Sequence, residues 1–153
     1  LTPDSELKDV LVRSPASGLS NHGNISTIPR PLQNFVPDNL DDIKWKSLAP
    51  GIKHFAISDL QTDGGSLFML NIEPGTKIPE HGHKGIELTQ VLKGSFSDDV
   101  GCFGVGDIVD LDDDVEHQPV VGSDESCICL IASQGPLRFT GLVPRLVHYF
   151  SGI

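Results

Sequence analysis

From Asp41 onward the sequence alternates short apolar stretches, spaced roughly ten residues apart, with turn signals, and this pattern limits the fold more than any other feature. Pro50–Gly51, Asp63–Gly64–Gly65, Pro74–Gly75, Lys93–Gly94 and Gly122–Ser123 combine residues that preset or tolerate turn dihedrals. The stretches between them predict strands at Ile43–Leu48, Ile52–Ile57, Ser66–Ile72, Ile86–Leu92, Ser95–Asp98, Asp107–Leu111, His117–Val121 and Cys127–Ala132. Short strands at this spacing read as an all-β sandwich or barrel, not as βαβ units. LFMLNI at 67–72 and CICLIA at 127–132 are apolar at neighbouring positions, as expected of strands covered on both faces.

The first forty residues follow a different pattern. In LTPDSELKDVLV, residues 1–12, Thr2 suits an N-cap and Pro3 the first helical position, with Asp4 and Glu6 at the positive end of the dipole. Leu7, Val10 and Leu11 form one apolar stripe, so this segment is expected to be a short helix. A helix so short needs something to pack against. The chain also begins at Leu1 instead of Met, and the expectation is that the helix is the tail of a missing N-terminal domain. Residues 13–40, rich in Ser, Asn, Gly and Pro, are expected to be an extended linker. Residues 41–153 then form the β domain, closed by an apolar tail with Leu142, Leu146, Val147 and Phe150 at helical spacing.

The net charge of −10 is unevenly spread: Asp98 to Glu125 holds ten acids and no Lys or Arg. Such a surface repels phosphates, which argues against nucleic acid or anionic lipid as a direct partner. It reads as a solvated acidic face, or as a docking surface for a basic protein. Cys102, Cys127 and Cys129 are odd in number and lack framework spacing, so free thiols and a cytoplasmic location are expected. No apolar run is long enough to span a membrane.

PGTKIPEHGHKGIELTQVLKG, residues 74–94, carries the chemistry. On a strand, His81 and His83 would aim both imidazoles at one face, with Gly82 leaving room for close backbone approach. Glu87 has the same parity but lies beyond Lys84–Gly85, where a turn can redirect it. His117, in DVEHQPV, is expected on an antiparallel neighbour. A lone His-x-His is often a hydrogen-bonded pair with no ligand. Three imidazoles and one carboxylate meeting at a point would instead call for a cation of the Zn, Fe, Mn, Cu or Ni type, not Ca.

The spacing G-x5-H-x-H-x3-E-x6-G, filled by Gly75, His81, His83, Glu87 and Gly94, resembles the first motif of the cupins. Gly106 and His117 resemble a second motif that here departs from the pattern, with Asp112, Asp114 and Val121 where Pro, Gly and Asn are usual. The resemblance implies a jelly-roll β-barrel with metal at His81, His83, Glu87 and His117. HGHKGIELTQVLKGSFSDD, FGVGDIVDLDDDVEHQPV, SCICLIA and LRFTGLVPRLVHYFSGI together resemble the C-terminal half of the ChrR family of zinc anti-sigma factors, from about Leu40 to Ile153. Upstream, LTPDSELKDVL resembles the last helix of that family's N-terminal domain.

That likeness implies a regulatory domain instead of an enzyme. Its metal would be Zn²⁺, with Fe, Mn or Ni as alternatives. The partner would be an extracytoplasmic-function sigma factor gripped by the N-terminal domain and released under singlet oxygen or organic hydroperoxide. A four-ligand N₃O zinc shell is closed, which suits sensing. A metal-dependent dioxygenase would use the same ligands but needs open positions and a lined pocket. A sugar- or ligand-binding cupin without metal is the third option. Cys127 and Cys129 share a strand face, as buried filler or as an oxidisable dithiol. The two are too near on one strand to bridge easily. Cys102 is expected in a turn region without a role. His22, His54 and His148 are expected to be solvated or packing residues, and cupins commonly pair through strand edges, so a homodimer is open.

Overall fold

The computed structural model describes residues 28–57, 64–83, 85–111, 114–134 and 137–139, with His83 and residues 137–139 described as backbone alone. Eleven strands follow in chain order: β1 (Lys46–Ala49), β2 (Ile52–Ala56), β3 (Gly65–Ile72), β4 (His81–His83), β5 (Glu87–Lys93), β6 (Ser95–Ser97), β7 (Cys102–Gly104), β8 (Ile108–Leu111), β9 (Val120–Val121), β10 (Cys127–Gln134) and β11 (Leu137–Phe139). The sequence-predicted helix at 1–12, most of the linker, His22, His148 and the apolar tail lie outside the described residues.

The strands form an antiparallel six-stranded sheet, β1-β2-β3-β10-β5-β8, a three-stranded sheet, β7-β6-β9, and a two-stranded ribbon, β11-β4. Isolated bridges at Lys77↔Val120 and His81↔His117 extend the smaller layer. The result is an all-β cupin jelly roll. Period-two alternation builds its centre. Phe68, Leu70 and Ile72 of β3, Val91 of β5, and Cys127, Cys129 and Ile131 of β10 face Phe96, Phe103 and Val121 of the smaller sheet. Phe96 and Phe103 stand directly opposite, ring centroids 5.1 Å apart and tilted by 41°.

The alternate residues do not face water. Met69, Leu92 and Ile128 turn to the other side of the large sheet and pack with Ile28, Leu32, Val36, Leu40 and Ile43. The expectation of a linker through residue 40 therefore fails from Ile28 onward. Pro29, Pro31 and Pro37 forbid an α-helix there, so the chain runs as a strap with short 3-10 turns at Arg30–Leu32 and Leu40–Asp42. Asn39 caps the second turn by accepting the Asp41 amide at 3.0 Å. The apolar residues Ile28, Leu32, Val36 and Leu40 recur every fourth position, and this is the signal that the Pro- and Asn-rich composition concealed.

Two of the eleven strands were not anticipated at all. β7 forms where a turn around Cys102 was expected, because Phe103 needs the core opposite Phe96. β11 pairs Leu137–Phe139 with β4, which no local pattern announces. Gly94 closes the β5–β6 turn at φ +69, and any side chain there would run into the Ser126 carbonyl.

Candidate metal centre

His81, Glu87 and His117 come together at one end of the space between the layers, one ligand atom from each lying within 4.8 Å of the others. They are 5%, 4% and 5% exposed, so all three are withdrawn from water. His81 starts β4, and its amide and carbonyl exchange hydrogen bonds with the carbonyl and amide of His117 at 3.1 and 3.0 Å. This is the antiparallel neighbour expected from the sequence. Glu87 enters from the other layer, at the start of β5, where it sits opposite Ser133 of β10 and Leu111 of β8.

The reversal between β4, which carries His81, and β5, which carries Glu87, rests on Gly85. Its φ of +104 is a conformation that side-chain-bearing residues rarely adopt, and an added Cβ would collide with the Gln134 carbonyl. Gly82 is less demanding than expected, since a Cβ there would come no nearer than 3.4 Å to Glu116. His83 lies on β4 two residues beyond His81 and its side chain falls outside the described residues.

The His81 and His117 imidazoles are each held by Nδ1. His81 Nδ1 is 2.8 Å from the Pro79 carbonyl, and His117 Nδ1 is 2.8 Å from Asp98 Oδ2. Both partners are acceptors, so in the neutral rings Nδ1 carries the proton and Nε2 the lone pair. The two Nε2 atoms nevertheless face each other at 3.2 Å, with ring centroids 4.5 Å apart. Neither can donate to the other in that state. Two imidazoles bound to one tetrahedral zinc would place their nitrogens about 3.3 Å apart, from Zn–N distances of ~2.0–2.1 Å. The donor set thus fits a divalent cation, with the adjacent carboxylate balancing its charge. Thr89 Oγ1 donates to Glu87 Oε1 at 3.3 Å and steadies that side chain.

Asp98 belongs to this site although the sequence shows it only as part of the acidic run; its side chain is fully buried. Its other oxygen accepts the amides of Val100 and Gly101 at 2.8 and 3.1 Å. Asp107 is half-buried and accepts the Gly104 amide at 2.8 Å. The acids from 98 to 125 are therefore not one solvated face. No short-range motif links Asp98 to a histidine nineteen residues later.

Cys127 and Cys129 lie on β10 at the inner face, both buried, with their sulfurs 3.5 Å apart. The Cys129 S–H lowers the Cys127 thiol pKa by hydrogen bonding to its thiolate. The same contact raises that of Cys129, helped by burial and the nearby charges of Cys127 and Glu87. Cys129 also borders a cavity of about 50 Å³ whose wall is mostly apolar and which reaches His81, Glu87 and His117. Cys102 is exposed. His54 is buried on β2, in keeping with a packing role, and desolvation followed by the charge of Lys46 lowers its pKa.

Residues 35–138 match the family model described as the ChrR cupin-like domain. The anti-sigma-E factor ChrR of Cereibacter sphaeroides is 42% identical over 123 residues, covering 80% of this chain and 56% of that protein. The chain thus spans little more than half the length of that curated relative. The crystal structure of Rhodobacter sphaeroides SigE in complex with the anti-sigma ChrR matches with a TM-score of 0.63 and 34% identity, over 79% of this chain and 71% of that one. The polyketide cyclase RemF of Streptomyces resistomycificus matches with a TM-score of 0.55 at 21% identity, over 71% of this chain and 87% of that one. This last likeness is one of fold alone.

Proposed function

The chain belongs to the ChrR cupin-like family, and from that membership we propose that it is the metal-binding regulatory domain of an anti-sigma factor. The grip on an extracytoplasmic-function sigma factor would come from a preceding N-terminal domain, and this domain would govern its release. The curated relative is named an anti-sigma-E factor, and the related crystal structure holds SigE with ChrR, which supports the reading. The observation that carries it is the pair of Nε2 atoms at 3.2 Å, each ring fixed by an acceptor at Nδ1, with Glu87 beside them.

His81, Glu87 and His117 would hold the ion, with His83 as fourth ligand. Zinc, as a redox-silent ion, would supply charge and fixed geometry. The chain's own groups would then register the signal, singlet oxygen or an organic hydroperoxide, in the cytoplasm. A hydroperoxide ROOH would oxidise the thiolate of Cys127, the more acidic thiol of the pair, to a sulfenic acid, with the alkoxide leaving and taking up one proton to become the alcohol ROH. A polar S–OH group formed among Ile72, Val91 and Ile131 would disturb packing beside the ligands.

One observation favours a second reading. The apolar cavity touching the ligands is what a metal-dependent cupin enzyme such as a dioxygenase would need. At about 50 Å³ it is far below the ~300–1,000 Å³ usual for pockets holding drug-sized ligands, so the regulatory reading is preferred.

The test is metal analysis of the purified chain, together with co-expression of the full-length protein and its sigma factor. One zinc per chain, a stable co-purifying sigma factor and release on hydroperoxide treatment are expected. Iron or manganese with turnover of an organic substrate and no sigma factor bound would establish the enzyme instead. An oxidant response left intact in Cys127→Ser/Cys129→Ser would remove the thiols from the scheme.

A further inference from the structure

We infer that Asp98 is a positioning residue: the fixed orientation of its carboxylate decides whether His117 presents a lone pair or a proton to the centre. The functional consequence rests on the metal reading above, whereas the geometry stands without it. Asp98 closes the turn after β6, where its amide donates to the Gly101 carbonyl at 2.9 Å. Oδ1 accepts the Val100 and Gly101 amides at 2.8 and 3.1 Å, so the side chain cannot rotate without breaking two bonds. That leaves Oδ2 aimed at His117 Nδ1, 2.8 Å away, with the carboxylate sealed from solvent. A buried carboxylate accepts and does not donate when ionised, so the ring keeps its proton on Nδ1 and its lone pair on Nε2.

The double anchoring makes an isosteric change unusually informative. In Asp98→Asn, the amide oxygen takes the Oδ1 position, since the reverse would set an NH₂ group against two backbone N–H donors. The NH₂ group then meets His117 Nδ1 and donates to it. His117 is driven to the other tautomer, with a proton on Nε2 where a ligand needs a lone pair. The turn keeps its hydrogen bonds while the ligand loses its competence. Asp98→Ala does the opposite: it deletes the turn contacts and leaves the His117 ring able to choose either tautomer.

The full chain, labelled with ¹⁵N-histidine, stripped of metal and studied at pH 8, above the range of a free imidazole, gives the direct readout. Long-range ¹H–¹⁵N correlation is expected to show His117 protonated at Nδ1 in the wild type and at Nε2 in Asp98→Asn. Zinc affinity, measured by competition with a chromophoric chelator, is expected to fall about 10- to 100-fold in Asp98→Asn. The loss should be smaller in Asp98→Ala even though that variant is the less stable of the two. A purely structural role predicts the same order for stability and affinity. An Nε2–H tautomer in the wild type, or one unchanged between wild type and Asp98→Asn, overturns the inference, and the wild-type spectrum alone suffices should the variant fold poorly. A tautomer that switches between wild type and Asp98→Asn as expected, in a protein that takes up no zinc, upholds the role of Asp98 and removes the metal reading.

Discussion

Met69→Ala tests whether the outer face of the six-stranded sheet is a true core. Met69 is fully buried in the middle of β3, between Phe55 of β2 and Leu130 of β10, and packs in the cluster that includes Ile28, Leu92 and Ile128. Truncation removes three heavy atoms. The neighbours on β5 and β10 are held by sheet hydrogen bonds, so the space cannot close fully. Loss of transfer energy plus a residual cavity is worth about 3 kcal/mol, within the ~2–5 kcal/mol range for such deletions. If the strap from Ile28 to Ile43 were an unpacked linker, Met69 would face water and the change would cost no more than ~0.5 kcal/mol. Urea unfolding of metal-free protein separates the two, since bound metal would add its own linkage. With m of ~1–3 kcal/mol/M, the midpoint should fall by roughly 1–3 M at unchanged slope. A midpoint that stays within about 0.2 M of wild type would refute the strap as a structural element.

Three further outcomes follow from the same geometry. Gly85→Ala should destabilise by ~1–3 kcal/mol through its positive φ and its collision with the Gln134 carbonyl. It should also weaken zinc binding, because Glu87 is placed by that turn; unchanged chelator competition would count against this. His54 has a lowered pKa from burial and from Lys46, so the unfolded chain binds the proton more readily. Its contribution is complete above the ordinary histidine value of 6.5 and is lost as pH falls below it. Unfolding at pH 7.5 and 5.0 should therefore show a smaller acid loss in His54→Gln than in wild type, and equal losses would exclude the assignment. Finally, a thiol reagent should label Cys102 alone in the native protein and all three cysteines after denaturation, because Cys127 and Cys129 are buried. Rapid native labelling of three thiols would contradict their place in the core.

The β-rich architecture and most of the candidate ligand set could be read locally. Turn residues at short intervals and alternation within LFMLNI and CICLIA depend only on near neighbours in the chain, and so does the spacing of His81, Glu87 and Gly94. What no local pattern held was any contact closed over distance. Asp98 meets His117 because the turn after β6 aims a carboxylate at the partner of β4, and β11 exists only because β4 offers it an edge. The strap was misread for the same reason. Composition describes what Pro and Asn prevent, which is a helix; it does not reveal that Ile28, Leu32, Val36 and Leu40 find a sheet face left uncovered by the smaller layer. Residue types and their spacing thus determined which groups were available for metal chemistry. Tertiary packing decided which nitrogen of His117 carries the proton, because a tautomer is chosen by the acceptor that folding brings to the ring.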